Sequence, residues 1–285
     1  MKAPARLGLY GLVLVTVFVV AGFTANALIP ASFVERWVAE APERHGGHDD
    51  NQNDDHGDHD AGTDSLGLGL EQDGYRLIDI EAPTEVEPEG TLSFAIGGPD
   101  GSRVNEFDLD HEEEMHLIVV RSDGQHFRHV HPDRDADGTW SIPWSWDAAG
   151  TYRVFADFVP TATGDGLTLS THVQVEGSYE QLTASGPVTE AHVGEFHVTV
   201  EGDLIAGESS ALTMVITRDG EPVTTLEPYL GAFGHLVALR DGDLAYLHVH
   251  PHGDAPEPGS TSGPEIVFEA TAPTPGAYLL FFDFR

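Results

Sequence analysis

The sequence predicts an all-β protein: two tandem Ig-like or cupredoxin-like antiparallel β-sandwiches behind an N-terminal transmembrane helix and a disordered His/Asp-rich linker. Three observations carry this expectation. Short runs rich in β-branched and aromatic residues recur between turn signals such as Pro99-Asp100-Gly101, Asp137-Gly138 and Ala149-Gly150, the spacing of a sandwich. No long amphipathic helical pattern appears in the same region. The stretch Met115–Pro132, MHLIVVRSDGQHFRHVHP, returns at Gly234–Pro251 as GHLVALRDGDLAYLHVHP, with His116, Arg121, His129, His131 and Pro132 recurring as His235, Arg240, His248, His250 and Pro251 at a constant offset of 119.

Taken in order, residues 1–28 read as a signal-anchor. Lys2 and Arg6 precede an uncharged apolar run from Leu7 to Leu28, about 22 residues and long enough to cross a bilayer core. The positive end stays in the cytoplasm and sends the remainder outside. Ala25-Asn26-Ala27 resembles a signal-peptidase site, so secretion after cleavage near Ala27 is the alternative. Residues 29–65 form the linker. SFVERWVAEA is briefly amphipathic, and Pro42–Asp64 offers almost nothing to bury, with His45, His48, His56 and His59 set among aspartates as a solvated spacer or a loose metal-collecting tether.

Residues 66–177 form the first sandwich, with strands expected over Tyr75–Ile80, Thr91–Ile96, His116–Arg121, His126–His131, Thr139–Pro143, Thr151–Phe158 and Leu167–Val175. Residues 178–285 form the second, where Phe196–Glu201 and Ala211–Thr217 answer the first two strands. TYRVFADF (Thr151–Phe158) has its echo in AYLLFFDF (Ala277–Phe284), so Asp157 answers Asp283 at an offset of 126. Nothing answers Leu167–Val175, and the second sandwich is expected to be one strand short with an open edge.

Composition narrows the chemistry. The absence of cysteine excludes disulfides, thiolate zinc sites and a blue-copper centre, so any metal is held by His, Asp, Glu or Met. A formal net charge of −35 with Lys2 as the single lysine argues against nucleic acid and suits a solvated exterior that attracts cations.

The hairpin carries the site. With Asp123-Gly124 as a two-residue type I′ turn, His116 lies opposite His131, and His129 points to the same face two residues earlier. Directly opposed Cβ atoms are about 5 Å apart. The second copy, turning at Gly242-Asp243, places His235 opposite His250 with His248 beside it. Two separate three-imidazole sites follow, with Asp157 and Asp283 as acidic residues in core-like strands, able to ligate or to orient a histidine. The first has further donors in His111, Glu112, Glu113 and Glu114; the second has His252 just downstream. His126, His172, His192 and His197 are unduplicated and read as ordinary histidines, Arg121 and Arg240 as structural, and Trp140, Trp144 and Trp146 as core or rim.

These motifs, HLIVVRSDG, FRHVHP and GTYRVFADF in the first half and EPYLGAFGHLVAL, LHVHP and PGAYLLFFDF in the second, resemble membrane-anchored or secreted bacterial proteins with YtkA-like (CopC-like) β-sandwich modules over about Tyr75–Phe284. The resemblance implies heavy-metal binding at His116, His129, His131, His235, His248 and His250. The N-terminal histidine used by CopC itself has no counterpart here.

The functional expectation is an extracytoplasmic, membrane-anchored, non-catalytic binder of a divalent metal, copper or zinc, for tolerance or delivery, with no nucleic-acid partner. One alternative is a structural or interaction module whose histidines brace the hairpins. Another is a three-His zinc hydrolase, ranked last because no nucleophile motif accompanies the histidines.

Overall fold

The protein is described by a computed structural model covering residues 66–182, 186–247, 249–253, 255–257 and 259–285. The expected anchor at 1–28, the linker to residue 65 and His248 lie outside the described residues. Among the described residues there is no α-helix, and so none long and apolar enough to cross a membrane.

In the first half the strands are β1 (Glu71–Gln72), β2 (Tyr75–Glu81), β3 (Gly90–Gly97), β4 (Phe107–Asp108), β5 (His116–Arg121), β6 (Arg128–Val130), β7 (Asp133–Arg134), β8 (Thr139–Trp144), β9 (Gly150–Pro160) and β10 (Leu167–Val175). In the second they are β11 (Glu190–Val193), β12 (Phe196–Glu201), β13 (Ser209–Arg218), β14 (Glu221–Pro222), β15 (His235–Arg240), β16 (Tyr246–Leu247), β17 (Val249–Pro251), β18 (Glu265–Thr271) and β19 (Tyr278–Asp283).

All ladders between these strands are antiparallel, and the halves repeat one topology. The order β1-β2-β3-β8-β7 is matched by β11-β12-β13-β18-β17, and β10-β9-β5-β6 by β19-β15-β16. Among the described residues no strand covers the edge of β19 that corresponds to the edge of β9 taken by β10.

Each half closes its two sheets over an apolar core. Leu92, Phe94, Trp140, Trp144 and Trp146 meet Leu117, Val119, Tyr152 and Val154 in the first. Leu212, Met214, Ile216 and Phe268 meet Leu236 and Ala238 in the second. A third core lies between the halves: Ile118, Val120 and Phe155 pack against Val237, Leu239, Leu244 and Tyr246. Successive strand residues point to opposite faces, so β5 sends Leu117 and Val119 into its own sandwich and Ile118 and Val120 into the other half. That explains why HLIVV is continuously apolar: a strand buried on both faces has no polar side to alternate with. At one end of the contact, Phe127 and Phe281 stack with ring centroids 3.9 Å apart.

The hairpin registers are as expected, but through different turns. In the first, Leu117 pairs with Val130 and Ile118 with His129. Asp123 does not take the positive φ of a type I′ turn; only Gly124 does, at 76°. The Gly124 N–H donates to the Arg121 carbonyl and the Arg121 N–H to the Gln125 carbonyl, which makes a three-residue loop with glycine in the bulge position. That loop alone would shift the register by one. An extra residue between Gln125 and Arg128, where His126 has φ 53°, restores it. The second turn is four residues, Asp241–Leu244, centred on the expected Gly242-Asp243 pair. A bidentate Arg121–Asp123 pair braces the first turn and an Arg240–Asp243 pair the second.

Candidate metal centre

Positions 116, 118 and 120 of β5 share the inter-half face, and Asp157 lies opposite His116 on β9. His235 and Asp283 are opposed in the same way on β15 and β19. All four side chains, with His129 and His131, therefore belong to the layer between the halves. The sequence suggests two separate sites; the fold brings His235 and Asp283 of the second beside the histidines of the first.

His116 is 6 % exposed, and its Nε2 lies 3.0 Å from the Asp110 carbonyl oxygen. Only an N–H can make that contact, so the proton is on Nε2 and Nδ1 carries a lone pair. The carbonyl is held by a tight turn in which Asp110 and Glu113 exchange both backbone hydrogen bonds, with His111 at φ 46° and Glu112 at φ 69°. The second half repeats the device: Tyr229 and Ala232 exchange bonds across Leu230 and Gly231, and His235 Nε2 donates to the Tyr229 carbonyl at 2.9 Å. The sequence pattern does not predict these paired turns. The available signal was Gly231 in YLGAFGH, one of the two positions with positive φ.

His129 is fixed from the other half. Its Nδ1 sits 3.2 Å from Asp283 Oδ2, and a carboxylate accepts, so this nitrogen carries a proton and Nε2, when the ring is neutral, carries the lone pair. His116 Nδ1 and His129 Nε2 then face each other 3.1 Å apart. His131 Nε2 is 3.3 Å from the same His116 nitrogen. With both outer contacts made, the two imidazoles turn their remaining nitrogens toward one another, and the contact becomes favourable with a proton or a metal ion shared between them.

The spacing suits a metal ion. Imidazole nitrogens about 2.0–2.1 Å from a shared ion stand about 2.9 Å apart at a right angle and about 3.4 Å apart at the tetrahedral angle. The observed 3.1 and 3.3 Å fall inside that range. Ring centroids are separated by 5.3 Å for His116–His129, 4.9 Å for His116–His131 and 5.1 Å for His129–His131. Rings sharing one tetrahedral ion have centroids about 5 Å apart by the same geometry. His116, His129 and His131 thus form a triad that could hold a metal ion.

Burial favours the neutral form of His116, His131 and His235. It is the largest cause in each case, aided by neighbouring histidines, of a lowered His116 pKa, of His131 falling to about 3 and of His235 falling to about 4. Neutral imidazole is the form that ligates. Asp157, 7 % exposed, accepts from the Thr168 hydroxyl at 2.9 Å and the Tyr246 hydroxyl at 3.0 Å. It braces the two halves, and the adjacent negative charge favours a cation at His116. A cavity of about 40 Å³, lined by Asp110, His111, His116, His129, Asp157 and His235 among others, adjoins the triad.

Of the expected second triad, the described His250 is not paired with His235. β16 pairs with β15 only at Tyr246 and Leu247, and the chain then joins the opposite sheet as β17. His250 is exposed there, opposite Glu269 on β18 rather than His235. The first half makes the same crossing later: β6 stays with β5 through Val130, and the chain joins β8 only at Asp133. In the second half the His252 N–H donates to the Val267 carbonyl and its ring faces Glu269 at 3.4 Å, so the β18 ladder satisfies this backbone early. The unduplicated His126, His172, His192 and His197 make their ring contacts outside the triad. His172 contacts Arg153, His192 stacks on His197, and His126 lies near Tyr152.

No curated protein matches this sequence significantly. Among solved structures, the chain shows similarity to invasin, a bacterial integrin-binding protein (14 % identity, 74 % of this chain and 35 % of that one, TM-score 0.20). Others are a mutant form of Salmonella alpha-2-macroglobulin (20 %, 74 % and 12 %, TM-score 0.27) and a protein from Corynebacterium diphtheriae described as membrane anchored (12 %, 73 % and 54 %, TM-score 0.23). This chain spans about half or less of each of them. A family model matches the sequence twice, at residues 70–179 and 191–285, one match to each half. The chain belongs to the family described as Domain of unknown function (DUF8832).

Proposed function

We propose that the protein is a non-catalytic binder of a divalent transition-metal ion, held by His116, His129 and His131 between its two halves. The observation that carries this reading is the pair of facing nitrogens, His116 Nδ1 and His129 Nε2, 3.1 Å apart with their protons committed to Asp110 and Asp283. Three imidazoles without thiolate suit copper, zinc or nickel, and Cu(II) leads by affinity among the divalent ions; the sequence resemblance to YtkA-like proteins supports a heavy-metal ion. When bound, the ion supplies the positive charge that these nitrogens face. His116 and His129 are pre-oriented for it by Asp110 and Asp283, the arrangement that strengthens imidazole ligands generally.

The N-terminal apolar run supports a cell-membrane anchor with both halves outside the cytoplasm, where such a protein collects or delivers the ion. Titration calorimetry with Cu(II) and Zn(II) tests the reading, using the chain with His45, His48, His56 and His59 changed to alanine so that the tail does not compete. One tight equivalent, lost in the His129→Ala, His131→Ala double variant, is the expected result. The same affinity in that variant contradicts it.

A second reading rests on the same contact. A proton on His129 would also bridge it, giving an imidazolium paired with Asp283 and a purely bracing role. That reading predicts no tight equivalent, and destabilisation of the double variant with no metal present.

A further inference from the structure

His235 is prepared in the same way as His116, and among the described residues its companions differ. Its Nε2 is committed to the Tyr229 carbonyl at 2.9 Å, so Nδ1 keeps a lone pair; the residue is 7 % exposed and lines the 40 Å³ cavity. Among the described residues, the imidazole nearest to it is not from its own hairpin. His111, on the tight turn of the first half, has its ring centroid 5.1 Å from that of His235. This matches the 4.9–5.3 Å spacing within the triad. The distances between the two groups are longer, 6.2 Å for His129–His235 and 6.3 Å for His111–His116. Rings on one tetrahedral ion stand about 5 Å apart, so His111 and His235 fit a common ion better than either fits the ion of the triad.

We propose that His111 and His235, one imidazole from each half, hold a second divalent transition-metal ion beside the triad. This inference rests on the triad reading, since it places the two ions in adjoining parts of one cluster. With two nitrogens from the described residues, the second ion keeps positions for water or a small anion and binds more weakly than the first. Asp157 and Asp110 line the same cavity and offset the added charge. The location also suits exchange with solvent. A cleft of about 380 Å³, lined by His250, His252 and Glu265, shares His111 and Pro251 with the inner cavity. An ion arriving through the cleft meets His111 before it meets the triad.

Equilibrium dialysis against Zn(II), followed by metal analysis, tests this in the chain with its four tail histidines changed to alanine. The expected result is two equivalents, the second bound at least tenfold more weakly. His235→Ala should remove the weaker equivalent and leave the affinity of the tighter one within about threefold. Because His235 is buried, His111→Asn provides a variant that keeps the fold, as asparagine accepts the positive φ at that position; it should remove the same equivalent. One equivalent unaffected by either substitution overturns the second ion and leaves the triad standing. One equivalent weakened by both assigns His111 and His235 to the triad's own ion and also overturns it. A second equivalent that survives both substitutions lies elsewhere, with the same consequence. No bound zinc at all in the parent chain removes the triad reading together with this one.

Discussion

The β5–β6 and β15–β16 hairpins start from nearly the same sequence and end in different chemistry. Both place a histidine at the start of the central strand and tie its Nε2 to a carbonyl six residues upstream, Asp110 or Tyr229. The first hairpin then keeps its returning strand long enough to bring His129 and His131 alongside His116. The second releases its strand to β18 before His250, which faces outward beside Glu269. Each half also gives its acidic strand residue to the other: Asp283 orients His129, and Asp157 takes the hydroxyl of Tyr246. A repeat therefore need not repeat its site. Two copies packed through their histidine-bearing faces form one triad that could hold a metal ion, to which one copy contributes the three imidazoles and the other the supporting carboxylate.

The largest expected effect separates the two hairpins directly. The His129→Ala, His131→Ala double variant should lose on the order of 1000-fold or more in metal affinity, because two of three ligands are gone. His250→Ala should change it by less than about threefold, since that residue lies on the opposite sheet. Competition with a chromophoric chelator measures both.

The shared core ranks next. Ile118→Ala removes a fully buried side chain from the inter-half layer and should cost about 2–5 kcal/mol in denaturant unfolding. Metal affinity should fall with it if the layer holds the centre together. An unchanged affinity in the folded variant would mean that the first hairpin suffices alone.

The two carboxylates should then divide their labour. Asp283→Asn should weaken metal binding about 10–100-fold, the usual consequence of losing an outer carboxylate on a ligating histidine, with little change in stability because Asp283 is half exposed. Asp157→Ala should act chiefly on stability, by about 1–3 kcal/mol for each hydroxyl left without its acceptor. The reverse pattern would show the roles exchanged.

The smallest effect is on pH dependence. His131 and His235 titrate in the folded chain at about 3 and about 4, against 6.5 for free histidine. Between those values the unfolded chain binds more protons, so metal-free stability should be fully present above about pH 6.5 and decline as the pH falls toward 4. Unfolding midpoints measured across that interval check the sign. His235→Ala should flatten the slope.

Much of this was legible in the sequence, and the omissions have identifiable causes. The hairpin registers follow from where the turns are centred, so they came out correctly although both loops are longer than a two-residue turn. In the first hairpin the glycine bulge at Gly124 and the extra residue near His126 offset each other. The strand exchange that displaces His250 was not readable, because HVHP is identical in both halves and the decision lies in competing ladders with β8 and β18. The packing of one half on the other had a signal that the sandwich pattern obscured. Leu117 to Val120 shows no alternation, and neither does the stretch Val154, Phe155, Ala156; both are strands buried on two faces. The contact from Asp283 to His129 spans the two halves and leaves no trace in local pattern.

The central claim is that a cation shared by His116, His129 and His131 is what reconciles their facing nitrogens. Electron paramagnetic resonance of the chain loaded with one equivalent of Cu(II), its tail histidines replaced, tests it most directly. The account predicts hyperfine structure from three imidazole nitrogens that collapses in the His129→Ala, His131→Ala variant and persists in His250→Ala. A spectrum that is the same in all three proteins would contradict it.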